Sequence, residues 1–110
     1  MKDSEKMVEN LLYLAELDFL IKDKVGKVSY SILRIQADKI EKDARGVVGS
    51  FDENVADEAF YLLSNKKAEV EAEIEKGSTA ELRERELILN TAQDYISDYY
   101  LCLNGYDCME

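Results

Sequence analysis

The stretch that decides the fold is AEVEAEIEKGSTAELRERELILN, residues 68–90. Its first eight residues alternate apolar and charged, a period of two that would suit a strand. Alanine and glutamate favour helix, however, and Val70 and Ile74 are also spaced for one helical face. Gly77 then ends the helix, because glycine accepts the backbone turn that closes one. Ser78 and Glu81 have capping-box spacing and open the next helix. A Gly-Ser junction between two long helical patterns predicts a tight antiparallel hairpin.

The same punctuation extends in both directions. Upstream, Ala56, Ala59, Phe60, Leu63, Val70 and Ile74 form one apolar stripe, interrupted by Lys66 and Lys67. Ser50 and Glu53 give a capping-box start, with Asp52 as the competing cap. Downstream, Leu82, Leu89, Ala92, Ile96, Tyr99 and Leu103 form the stripe of the last helix, which Asn104-Gly105 stops. Nearer the N-terminus, Met7, Leu11, Leu14, Ala15 and Ile21 mark a first helix, and Ile32, Leu33, Ile35 and Ile40 a second. GVVGSF, residues 46–51, reads as a linker whose Val47, Val48 and Phe51 fold over the end of the core. Proline is absent and the five glycines fall at the breaks. The expected fold is an all-α, antiparallel four-helix bundle with a long C-terminal hairpin. Its helices span about 4–25, 29–45, 51–76 and 79–104 of one domain.

Composition excludes several functions. The 110 residues include no histidine, which removes Ser-His-Asp and Cys-His catalysis and every His-ligated metal. Cys102 and Cys108 are spaced C-x5-C, unlike a redox or zinc pair. Cys102 reads as a small buried hydrophobe and Cys108 as exposed. No apolar run is long enough to span a bilayer, and MKDSEKMVENLL does not read as a signal peptide. The expectation is a cytoplasmic protein with no cofactor and no membrane partner.

Charge carries the functional reading. The chain holds 24 acids against 14 bases, a formal charge of -10, which opposes direct binding to nucleic acid. Residues 1–49 balance nine bases with nine acids, whereas residues 50–110 carry five bases and fifteen acids. Acids at helix starts favour the helix dipole, and acidic surfaces aid solubility, so each cluster has a plain structural reading. The one-sided distribution adds a negative field that would steer a basic protein. Tyr95, Tyr99, Tyr100 and Tyr106 crowd the same half. Of these, Tyr100 and Tyr106 are the expected exposed contacts, since tyrosine combines rigid apolar area with a polar tip.

These features predict a small, acidic, non-catalytic protein-binding domain. Its contact set is Glu69, Glu73, Asp94, Asp98, Tyr100 and Tyr106. The partner class is a basic nuclease, toxin or nucleic-acid-binding protein, which makes the chain an inhibitor, immunity factor or antitoxin-like neutraliser. Imitation of DNA is a variant that needs paired acidic rows. The alternative in another class is an enzyme: Glu69 with Glu73, and Asp94 with Asp98, are i,i+4 pairs of the kind that hold magnesium. Small helical magnesium-dependent nucleotide pyrophosphohydrolases use such pairs, but their Glu-Glu-x-x-Glu type of motif has no convincing match here. Hairpin register also sets Asp94 and Asp98 about 12 Å beyond the positions facing Glu69 and Glu73. A third reading is a structural bundle protein of a phage or plasmid. A homodimer through the long helices is expected, using apolar surface around Leu82, Ile88, Leu89, Tyr95 and Ile96.

Overall fold

The computed structural model describes residues 2–103, apart from the side chain of Cys102. Four helices follow one another: α1 (Asp3–Lys22), α2 (Tyr30–Gly49), α3 (Glu53–Lys76) and α4 (Ala80–Leu103). They form an all-α, antiparallel four-helix bundle. Helix α1 packs on the other three, and α4 packs on α1, α2 and α3, while α2 and α3 barely touch. Helices α1 and α4 are therefore the inner diagonal. Alanines permit their close approach: Ala15 and Ala92 are buried in the core beside Ala44, Ala56 and Ala59. Met7, Leu11, Val48 and Leu63 fill the space between them and are the largest fully buried side chains. Burial of each such side chain contributes about 1.5–3 kcal/mol.

The hairpin expected between α3 and α4 is present, and AEVEAEIE lies within α3. The caps differ from the expected boxes. Asp52, not Ser50, caps α3, accepting a hydrogen bond from the Val55 backbone N–H at 3.0 Å. Ser50 instead donates through its hydroxyl to the Gly46 carbonyl. At α4, Thr79 Oγ1 accepts from the Leu82 N–H at 3.2 Å, and Ser78 accepts from Arg83 Nε at 2.8 Å. Among the described residues, no ion pair joins Arg83 or Arg85 to α3.

Two boundaries move. Helix α1 ends at Lys22, three residues before Val25, and a tight connection centred on Gly26 (φ 87°) follows. Helix α2 runs through the supposed linker to Gly49, so Val48 is a core residue rather than part of a lid, while Val47 and Phe51 pack partly buried against that core. The apolar faces move with it. Leu33 and Ile40 are buried, but Ile32 and Ile35 project outward and are 48% and 69% exposed. Conversely, Leu82, Ile88 and Tyr95 pack against the chain's own core, which also buries Leu89 and Ile96. The surface expected to remain for a second copy on the long hairpin is thus largely covered. The exposed apolar side chains lie instead mostly around α1 and α2. Among the described residues, no helix is long and apolar enough to cross a membrane.

Candidate protein-binding surface

One side chain marks the hairpin register. Gln93 on α4 donates from Nε2 to Ser64 Oγ at 2.8 Å and to the Phe60 carbonyl at 3.4 Å, both on α3. Residues near 93 therefore face residues 60–64, and the hairpin's tip lies well away from Asp94 and Asp98. Glu69 and Glu73, as expected, sit closer to that tip.

The six sequence-selected residues separate into distinct places. Glu69 and Glu73 are exposed on α3. Glu71, between them, pairs with Lys67 at 3.9 Å. Lys67 also pulls down the Asp94 pKa, so Lys67 and Glu71 occupy the flank of α3 beside α4. Residues two apart on a helix point about 200° apart. Glu69 and Glu73 consequently face away from Glu71 and from α4. The four acids do not converge, and among the described residues no group of three or more acids or thiols is arranged to hold a metal ion.

Asp94 and Asp98 do remain together, one turn apart on the outer face of α4, both exposed. Partial burial raises the Asp94 carboxyl above its ordinary range, and the neighbouring Asp98 raises it further; Lys67 and Lys22 pull it down. Leu87 and Leu101 lie seven residues either side of Asp94 and are 45% and 46% exposed. Seven residues is nearly two helical turns, so Leu87, Asp94 and Leu101 form one line on α4. The sequence reading passed over the two leucines because the buried stripe beside them drew the apolar pattern.

Tyr100 belongs to another place. It was expected to be exposed, but it is half-buried against the core. Its ring meets Tyr99 edge-on, with centroids 5.2 Å apart and planes at 89°. Burial raises its phenol pKa, and Glu53, Tyr99, Asp57 and Asp52 add to the rise in that order. Tyr100 thus joins the acidic start of α3 rather than Glu69 and Glu73. Tyr106 lies outside the described residues, as do Cys108 and the Asn104-Gly105 stop.

Most of the acids in residues 50–103 lie outside ion pairs. Among the thirteen acids of residues 50–103, Glu58 pairs with Lys2 at 3.8 Å and Glu71 with Lys67; the others enter no ion pair within the described residues. No protein-family model, curated protein or solved structure matches the chain.

Proposed function

We propose that the protein is a non-catalytic binding domain whose α3–α4 hairpin meets a basic partner protein. The observation that supports this most directly is the α4 line itself. Asp94 and Asp98, an acid pair that enters no ion pair among the described residues, lie beside two exposed leucines, Leu87 and Leu101. Such a line offers both charge and apolar area. A lysine or arginine docking there would relieve the repulsion between the carboxylates, and the leucines would lose water in the same event. The acids at the start of α3, with Tyr100 behind them, extend the negative field and speed encounter.

The narrower form of this reading is a cytoplasmic inhibitor or neutraliser of a basic nuclease, toxin or nucleic-acid-binding protein, of the immunity or antitoxin type, carried by a phage or plasmid. Glu69 and Glu73 contribute long-range field in it rather than direct contact with the α4 line. Catalysis is no part of the reading, because it proposes no converging nucleophile, base or metal-ligand set.

Co-purification from source cells tests the proposal, using wild type beside the Asp94→Lys, Asp98→Lys double variant. The expected result is one or a few basic proteins retained by wild type, released by raised salt and lost from the variant. The purified partner's nuclease or toxic activity should fall on adding wild type alone. Equal retention by both forms, or no basic protein with either, would overturn the reading.

A further inference from the structure

The opposite chemistry occurs on the other helix pair. Between the C-terminal half of α1 and the middle of α2 lies a groove of about 300 Å³. Leu14, Leu17 and Ile21 of α1 and Ile40 of α2 form its apolar walls. Lys24, in the connection just past α1, and Lys39 of α2 also line it. Helical spacing carries the apolar surface beyond the groove, since Ile32 lies two turns before Lys39 on nearly the same side of α2. Leu20 and Ile35 are 48% and 69% exposed, and Val25 and Tyr30 in and after the connection are 69% and 74% exposed.

The charge of the groove lining is opposite in sign to that of the whole chain, Lys24 and Lys39 against Asp43. Residues 20–39 contain Lys22, Lys24, Lys27, Arg34 and Lys39 against Asp23 and Asp38. Lys22 is engaged by Asp18 at 3.2 Å. Among the described residues, Lys24, Lys27, Arg34 and Lys39 enter no ion pair. Asp43 is the acid that lines the groove, outnumbered by its two lysines. Solvated lysines usually need no explanation, but two lysines outside any ion pair that line a concave apolar surface specify an occupant's chemistry.

We propose that the α1–α2 groove binds an acidic amphipathic helix of a partner protein, by a surface separate from the acidic line on α4. The apolar face of that helix fills the groove and its carboxylates reach Lys24 and Lys39, as in helix-in-groove recognition. The complementary charge fixes which helices are accepted. An anionic bilayer shares the charge and the greasiness but suits the site less well. The groove is recessed between two helices, so a helical peptide can reach its walls where a flat bilayer surface cannot.

The probe is a synthetic peptide of about 18 residues, long enough to hold a helix, with leucines on one face and glutamate and alanine on the other. A lysine-for-glutamate version and a scrambled acidic version are the controls. The acidic peptide is expected to bind about tenfold more tightly than the lysine peptide, with amide shifts confined to residues 14–24 and 32–43. Lys24→Glu with Lys39→Glu should invert that preference. Leu20→Ser with Ile35→Ser, both at exposed positions, should weaken binding about tenfold without altering the thermal melt. Equal binding of both charge versions, binding of the scrambled peptide as tightly as the ordered one, or shifts confined to α3 and α4, would overturn the proposal. So would retention by phosphatidylserine vesicles without peptide binding, which would assign the face to a membrane. Self-association in sedimentation that is abolished by the serine pair, again without peptide binding, would overturn it in favour of a second copy. Variants of Asp94 and Asp98 should leave peptide binding intact, which separates this test from that of the hairpin.

Discussion

The hydroxyl of Tyr99 stands 2.9 Å from where a Cβ on Gly49 would lie, and the edge of its ring stands 3.3 Å away. Gly49 is the last residue of α2, and Tyr99 is in the C-terminal part of α4. The missing side chain is what lets the end of α2 settle against the aromatic pair Tyr99–Tyr100. Gly46, one turn earlier, has nothing within 4 Å of the equivalent point. The two glycines of one short motif therefore have opposite roles.

Substitution should expose the difference. Gly46→Ala is expected to stabilise the protein by about 1 kcal/mol, since alanine is the better residue inside a helix. Gly49→Ala should destabilise it by about 1–2 kcal/mol, because a rigid ring packed on the core must move. Tyr99→Phe should recover part of that loss by removing the closest atom. Urea denaturation of the three single variants and the Gly49→Ala, Tyr99→Phe pair measures each step.

This pair also explains what the sequence could and could not say. Long apolar stripes and the Gly77-Ser78 break define α3 and α4, and both are where periodicity puts them. GVVGSF read as a linker because two glycines within four residues lower helix propensity. Tertiary packing overrides that local preference, since Val48 is fully buried and holds the turn in place. The outward placement of Ile32 and Ile35 follows from the same extension: once Ala44 and Val48 join Leu33 and Ile40, the buried face of α2 rotates away from them. At the candidate site, Asp94 with Asp98 was readable as an i,i+4 pair. The separation of Glu69 and Glu73 from it was readable only in part. Hairpin register gave the distance along the axis, but the direction around α3 depends on which flank meets α4.

The start of α3 offers a direct contrast between caps. Asp52 accepts the Val55 N–H, whereas the Ser50 hydroxyl is directed back to Gly46. Asp52→Ala should lower stability by about 1 kcal/mol, and Ser50→Ala should change it by less than half of that. Thermal melts at neutral pH compare them. A larger loss from Ser50→Ala would mean that the capping box, rather than Asp52, holds the helix start.

Tyr95 carries a buried hydroxyl with no hydrogen-bond partner within the described structure. Burial raises its pKa well above the usual phenol value, with Asp18 and then Glu41 adding to the rise. Tyr95→Phe removes an unsatisfied polar atom and keeps the ring, so stability at pH 7 should rise by about 1 kcal/mol. Because the folded pKa is raised, the proton's contribution is fully present below about pH 10 and is lost as pH climbs through the folded value. Wild type should therefore weaken more steeply above pH 10 than Tyr95→Phe, as followed by circular dichroism.

Asp94 makes the corresponding prediction on the acid side. Partial burial first, and Asp98 second, lift its carboxyl pKa above 3.8, against the pull of Lys67 and Lys22. In the window just above 3.8 the folded chain holds more of this proton than the unfolded chain does. Its contribution to stability is thus full below that value and is lost as pH rises through the folded pKa. At pH 7 the ionised group is a net burden that an uncharged amide does not impose. Asp94→Asn should raise the melting temperature at pH 7 and leave it nearly unchanged at pH 3, where both forms are neutral. Lys67→Gln should act in the opposite sense at pH 7, since it removes a cation that partly compensates Asp94 and also pairs with Glu71. In the double variant the two effects should be less than additive, because the amide substituted for Asp94 leaves no charge there for Lys67 to offset. Melting curves at the two pH values for wild type, each single variant and the double variant decide it. An Asp94→Asn shift of equal size at pH 3 and pH 7 would show that packing, not ionisation, sets the change.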